Sequence, residues 1–260
     1  MSENVIIIPA RYESSRFPGK PLVGLRGKDG VVKSLIHRTW EKALAVEDIS
    51  AVYVATDDDR IADAAKSFGA EVVMTSSSCK NGTERCAEAI KNLDISPEII
   101  VNLQGDAPLT PSFFLDRLIK GLKDDSASDV ATPVLRCNSE TLSRFVEDRS
   151  NGSVGGTTGV FDRNGRALYF SKEVIPYRNP GQTFDPIPVF HHVGVYAYRY
   201  DALQKYTGLG EGILEKLEGL EQLRFLENGL PILCVEMQDD KQEFWEVNNP
   251  WDIERVEAAL

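Results

Sequence analysis

Four short, mostly apolar strand-like runs, at 5–8, 51–55, 71–74 and 99–103, recur along the first half of the chain with helix-patterned stretches between them. Runs of this length, bounded by polar and turn residues, suit strands buried on both faces. The spacing predicts helices over 31–45, with Gly30 marking the start, over 83–93, and over 111–122, with Pro111 in the first turn. A further helix runs from the Thr56-Asp57-Asp58-Asp59 cap to Phe68 and is closed by Gly69. Strands alternating with helices of roughly ten to fifteen residues imply a parallel sheet with right-handed crossovers. Such sheets bind ligands at the carboxyl ends of their strands.

The pattern changes near residue 129. Strands are expected at 130–135, 157–161, 167–171 and 193–198 with few long helices between them, and Asn164-Gly165 signals a hairpin. Residues 176–190, rich in proline, read as a loop long enough to be functional. A helix over 214–226, a strand at 232–235 and a helix over 250–260 complete the chain. The expected architecture is one α/β domain, 1–260, with a mostly parallel central sheet. A mixed-strand subdomain is inserted at about 130–210, and a cleft lies between the two.

The first strand's exit carries the strongest chemical signal. Arg11, Arg16 and Lys20 fall within ten residues, among Pro9, Pro18, Gly19 and Pro21. Guanidinium forks grip phosphate oxygens in pairs, and an ammonium acts as a point charge. The fourth strand's exit, Leu103-Gln104-Gly105-Asp106, brings a carboxylate to the same edge. Asp106 there suits Mg²⁺, which commonly takes one or two protein carboxylates plus substrate phosphates. Asn81-Gly82-Thr83-Glu84-Arg85 opens a helix and suits contact with a base or ribose. His191 and His192, in a chain with 3 histidines, point to opposite faces of an extended segment and do not share one metal. Glu215, Glu218, Glu221, Gln222 and Arg224 lie on the helix expected at 214–226, where 218, 221, 222 and 225 share a face.

Composition narrows the class. The 260-residue chain carries a net charge of -11, which argues against wrapping a nucleic-acid backbone while leaving room for a small nucleotide on a local cationic loop. Cys79, Cys86, Cys137 and Cys234 show no zinc spacing and read as reduced, buried thiols. The segment before residue 5 lacks a basic region and the run at 5–8 is too short for a signal peptide. No run approaches 18 apolar residues. A cytoplasmic enzyme is the expectation.

Taken together, the loop from Ile8 to Leu22, Val54-Ala55-Thr56-Asp57-Asp58, Gly82-Thr83-Glu84-Arg85, Asn102-Leu103-Gln104-Gly105-Asp106, the run at 167–171, His192-x-Gly194-x-Tyr196 and the run at 214–224 resemble, in order and over essentially the whole chain, the 3-deoxy-manno-octulosonate cytidylyltransferases (CMP-Kdo synthetases). The resemblance implies a three-layer, glycosyltransferase-A-like nucleotidyltransferase fold, a homodimer, and the 130–210 subdomain serving acceptor binding and dimerisation. It implies transfer of CMP from CTP to a 3-deoxy-octulosonate-type sugar acid with release of pyrophosphate, Mg²⁺ as cofactor, and a place in lipopolysaccharide biosynthesis. Arg11, Arg16 and Lys20 are then catalytic. Ala10, Arg11, Ser15, Arg16, Lys20, Thr83, Arg85 and Gln104 bind the nucleotide. Lys172, His192, Tyr196, Glu221 and Gln222 bind the acceptor, and Asp106 and Asn248 hold metal.

The chain departs from the family pattern at several positions. Ala107 follows Asp106 where an acidic or amide residue is usual, and Asn248 stands where an Asp is usual. Thr158 and His191 stand where basic residues are expected, and Lys172 where an Arg is. Several of these lie on the acceptor side, whereas the nucleotide loop is intact. The expectation is retained nucleotidyl transfer with an altered acceptor, such as an amino sugar acid. The rival readings are another small acid such as a phosphonate, or an idle CTP-binding homologue.

Overall fold

The computed structural model describes residues 3–13, 17–154, 156–179, 181–238, 247 and 249–260. In chain order these residues form β1 (Asn4–Ala10), β2 (Gly24–Arg26), β3 (Val32–Ser34), α1 (Leu35–Leu44), β4 (Ala51–Thr56), α2 (Asp59–Ser67), β5 (Glu71–Met74), α3 (Gly82–Leu93), β6 (Ile99–Asn102) and α4 (Ser112–Asp124). The second half adds β7 (Val130–Arg136), α5 (Ser139–Ser150), β8 (Thr157–Phe161), β9 (Ala167–Ser171), β10 (Phe190–His192), β11 (Tyr196–Arg199), α6 (Tyr200–Tyr206), α7 (Ile213–Glu218), α8 (Leu223–Glu227), β12 (Ile232–Met237) and α9 (Asp252–Ala259).

β1 is buried at every position and feeds two cores. Ile6 and Ile8 pack with residues of α1, α2 and α4, whereas Val5 and Ile7 pack with residues of α3, α6 and α8. That division follows from the two-residue period of a strand. It makes three layers, helices on both faces of one sheet. The sheet runs β5-β4-β1-β6-β11-β7-β10-β8-β9, with β12 on β7. β5, β4, β1 and β6 are parallel, so their carboxyl ends share one edge. The strands of 130–210 extend this same sheet: β11 pairs antiparallel with β6, and β10 joins β7 to β8.

Three segments differ from the sequence expectation. Residues 32–34 form a strand paired with β2 rather than the first turn of a helix. Asp29 accepts from the Val31 N–H, Gly30 takes φ +79°, and a hairpin results; the helix starts only where Ser34 caps it. The helix expected over 214–226 is two helices. Gly219 takes φ +63° and ends α7, so residues 218 and 221 do not share a face. The strand expected at 193–198 begins at Tyr196, because 193–195 turn back through a Val195 N–H to Val193 carbonyl bond. α5 and α6 were not anticipated; α5 is capped by Asn138 and buries only Leu142 and Phe145. The Asn164-Gly165 hairpin joins β8 to β9 as expected.

A small separate core gathers Leu25, Leu35, Val247 and Val256, with Phe17, Ile253 and Leu260 against it. It ties α9 to the hairpin and to the loop after β1.

Candidate active site

The exits of β1, β5 and β6 and the start of α3 enclose a cleft of about 200 Å³. It is lined by Pro9, Ala10, Arg11, Lys20, Pro21, Cys79, Lys80, Asn81, Gly82, Arg85, Gln104, Gly105 and Asp106. Lys20 opens a short 3-10 turn, Lys20–Leu22, entered through Gly19 at φ +71°. A side chain on Gly19 would strike the Tyr12 ring at 3.1 Å. That ring is covered on its other contacts by the Arg60 guanidinium, 3.3 Å from its centroid, which pairs with Asp58. Lys20 Nζ donates to Asp106 Oδ2 at 2.6 Å.

Asp106 is mounted on fixed backbone. The Val247 N–H donates to its carbonyl at 3.0 Å, and Gly105 packs so closely on β1 that a Cβ there would lie 2.9 Å from the Pro9 carbonyl oxygen. Gln104 is held against Gly82: a Cβ on Gly82 would lie 2.6 Å from Gln104 Nε2. Arg85 is buried, and its Nη1 donates to Thr75 Oγ1 and lies 3.2 Å from Asp57 Oδ1.

Ala10, Arg11, Lys20, Arg85, Gln104 and Asp106 therefore meet in one cleft. Ser15, Arg16 and Asn248 lie outside the described residues. Thr83 points elsewhere: its hydroxyl is 2.8 Å from the Tyr198 hydroxyl, and its N–H donates to Glu221 Oε2 at 3.2 Å. These bonds tie the start of α3 to the second group of residues, Lys172, His192, Tyr196, Glu221 and Gln222, none of which lines the cleft. The Tyr196 hydroxyl donates to Gln222 Oε1 at 3.1 Å, and Gln222 Nε2 is buried without a hydrogen-bond partner among the described residues. The His192 ring packs on Phe170 and Tyr196. Thr132 Oγ1 is 2.9 Å from His192 Nε2 and 2.9 Å from the Val195 carbonyl oxygen. With its one proton on that carbonyl, Thr132 accepts from His192 Nε2, leaving Nδ1 as the acceptor. Lys172 donates its N–H to Glu218 Oε2, and its ammonium lies against Gly219.

Burial sets the charge states here. It pushes His192 down to about 3 and His191 down to about 4, so both rings are neutral at pH 7. It raises the Glu221 carboxyl above its usual range, against the Thr83 bonds that lower it. His191 meets Phe145 edge-on, on the opposite face from His192. All four cysteines are buried and unbridged. Among the described residues no three of His, Cys, Asp or Glu cluster to hold a metal. Asp106 alone, facing a cleft lined by four cationic side chains (Arg11, Lys20, Lys80 and Arg85), still fits a Mg²⁺ that takes its other ligands from phosphate and water.

Asp57 and Thr75, which fix Arg85, were not read as site residues, nor was Lys80. The Val-Ala-Thr-Asp-Asp run was the signal for Asp57. Nothing local marked Thr75.

A family model described as "Cytidylyltransferase" matches residues 5–237. The chain belongs to the cytidylyltransferase family. This cytidylyltransferase is 43% identical to a 3-deoxy-manno-octulosonate cytidylyltransferase of Maricaulis maris, over 98% of this chain and 95% of the relative. It is 40% identical to the enzyme of that name from Syntrophus aciditrophicus, over 100% and 98%. A solved structure titled CMP:2-keto-3-deoxy-manno-octonic acid synthetase complexed with CTP superposes with a TM-score of 0.85 at 36% identity, covering 99% of this chain and 98% of that one. The resemblance read from the motifs and the nucleotidyltransferase fold are thereby both shown.

Proposed function

We propose that this cytidylyltransferase transfers CMP from CTP to a 3-deoxy-octulosonate-type sugar acid and releases pyrophosphate. The observation that carries the reading is the single cleft in which Arg11, Lys20, Arg85, Gln104 and Asp106 converge at the carboxyl ends of parallel strands. Full-length relatives named for this reaction and a CTP-complexed neighbour support it. Arg11 and Lys20 grip the triphosphate and stabilise charge on the leaving pyrophosphate, a positional and electrostatic role. Gln104 and Arg85 meet the nucleoside. The acceptor's anomeric hydroxyl gives its proton to solvent and its oxygen attacks the α-phosphorus, as the bond from that phosphorus to the α–β bridging oxygen breaks and pyrophosphate leaves. His192, Tyr196, Gln222, Glu221 and Lys172 hold the acceptor. Mg²⁺ at Asp106 would supply positive charge to the phosphates. A homodimer, a cytoplasmic location and a role in lipopolysaccharide assembly belong to the same proposal. No helix among the described residues is long and apolar enough to cross a membrane.

One observation favours a modified acceptor, such as an octulosonate bearing an amino group. Thr158 is fully buried, with its hydroxyl donated to the Glu173 carbonyl and accepting from the Ile175 N–H, and His191 is neutral. Two positions where the resemblance implies cations thus carry no charge. The test is pyrophosphate release with CTP and Mg²⁺ against the ordinary octulosonate, its 8-amino relative, sialic-type acids and phosphonates. Highest kcat/KM with the ordinary octulosonate rejects the modified acceptor, and preference for the amino sugar establishes it. Silence with every acceptor, with CTP still raising the melting temperature, would leave an idle nucleotide binder.

A further inference from the structure

We infer that Lys20 is a placeholder in the divalent-cation position. Without nucleotide, its ammonium occupies the Asp106 carboxylate. The arriving triphosphate draws Lys20 onto its own oxygens and so opens that carboxylate to the metal. The inference rests on the assignment of Asp106 above and adds a thermodynamic coupling between nucleotide and metal.

The geometry supports it in two ways. The Lys20–Asp106 contact is a 2.6 Å ion pair with side chains only 15% and 26% exposed, so water screens it less than a surface pair. Both backbones are fixed. The Asp106 carbonyl is bonded by Val247, the Gly105 carbonyl accepts from the Thr39 hydroxyl, and Val23 N–H closes the turn onto the Lys20 carbonyl. What is free to move is the Lys20 side chain, with its four-carbon stem.

Two cations compete for one carboxylate, which dictates the coupling. Metal alone must displace the ammonium. Nucleotide alone takes Lys20 away and leaves Asp106 bare beside its phosphates. Together each removes the obstacle to the other, and the effect is reciprocal.

The test uses Mn²⁺ as the probe, with free Mn²⁺ read by electron paramagnetic resonance and no nucleotide or acceptor present. Lys20→Met is expected to bind Mn²⁺ about tenfold more tightly than the wild type, within the usual range of such couplings. Equal affinity, or no binding to the variant, overturns the inference, because a lysine serving only phosphate leaves the metal-only equilibrium untouched. This arm stands even where the base or the acceptor has been misassigned. In a second arm, calorimetry in EDTA, Asp106→Asn is expected to bind metal-free CTP about tenfold more tightly than the wild type. Unchanged or weaker binding overturns the inference independently, including in the case that Lys20→Met does not fold.

Discussion

Gly82→Ala isolates the placement of Gln104. A Cβ at residue 82 would lie 2.6 Å from Gln104 Nε2, 3.2 Å from its Oε1 and 3.3 Å from Asn102 Nδ2. Regaining an ordinary contact of 3.4 Å moves the Gln104 amide by roughly 0.8 Å. The amide ends a flexible side chain, so the shift costs little stability, and residue 82 is the first of α3, where helix propensity counts for less than in the interior. The melting temperature is therefore expected to stay within about 3 °C of the wild type. A displacement near 1 Å in a site can lower rate on the order of 10²-fold, so kcat/KM for CTP is expected to fall by roughly 10- to 100-fold. The assay is continuous pyrophosphate release at varied CTP, with thermal melts in parallel. A double-mutant cycle sharpens it: if both substitutions act through one amide, Gly82→Ala with Gln104→Ala is no slower than Gln104→Ala alone. An unchanged kcat/KM, or additive losses in the cycle, refutes the reasoning.

Gly105→Ala should behave differently, because its added carbon meets the Pro9 carbonyl, which is backbone, at 2.9 Å. A loss of about 1–3 kcal/mol is expected in urea unfolding, and a midpoint equal to the wild type would show that β1 yields. Arg224 is 3% exposed and bidentate to the buried Glu215 at 2.7 Å, with Glu84 and the Tyr206 ring as further partners. Arg224→Met leaves Glu215 uncompensated and is expected to lower unfolding free energy by about 3–5 kcal/mol. His191 and His192 are depressed to about 4 and about 3, chiefly by burial, with Arg144 acting on His191 and His191 on His192. In the unfolded chain they titrate near 6.5, so unfolding takes up protons below that pH. The stability they contribute is complete above pH 6.5 and is lost as pH falls towards 4 and 3. Each is expected to account for about 2 kcal/mol between pH 7 and 5, and His191→Gln should remove about that much from the fall in unfolding free energy over the interval, read from urea melts.

The legible parts of this protein were those decided by neighbours in sequence. The 5–8 run and the cationic loop after it placed β1 and the edge where the cleft opens, because a buried strand and a turn are local events. The opposite facing of His191 and His192 followed from the strand period alone. Local cues also misled. The apolar spacing at 214–226 fits a helix throughout, yet one glycine in the left-handed region breaks it. The partner of the Thr83 hydroxyl, Tyr198, lies 115 residues away, so no local cue in Gly-Thr-Glu-Arg could have named it. The Lys20–Asp106 pair spans 86 residues, and only the shared sheet edge made both ends visible.

The small core around Leu25, Leu35, Val247 and Val256 has a consequence for how the enzyme fails. It is made of few side chains, whereas the sheet carries two large cores. Regions with little buried apolar surface open first under mild denaturant. Opening here would release Phe17 from the loop before Lys20, and Val247 from the Asp106 carbonyl, with the ten-stranded sheet intact. Heat or urea would then silence catalysis before any change in the strands' circular dichroism, and cooling would restore it without refolding the domain.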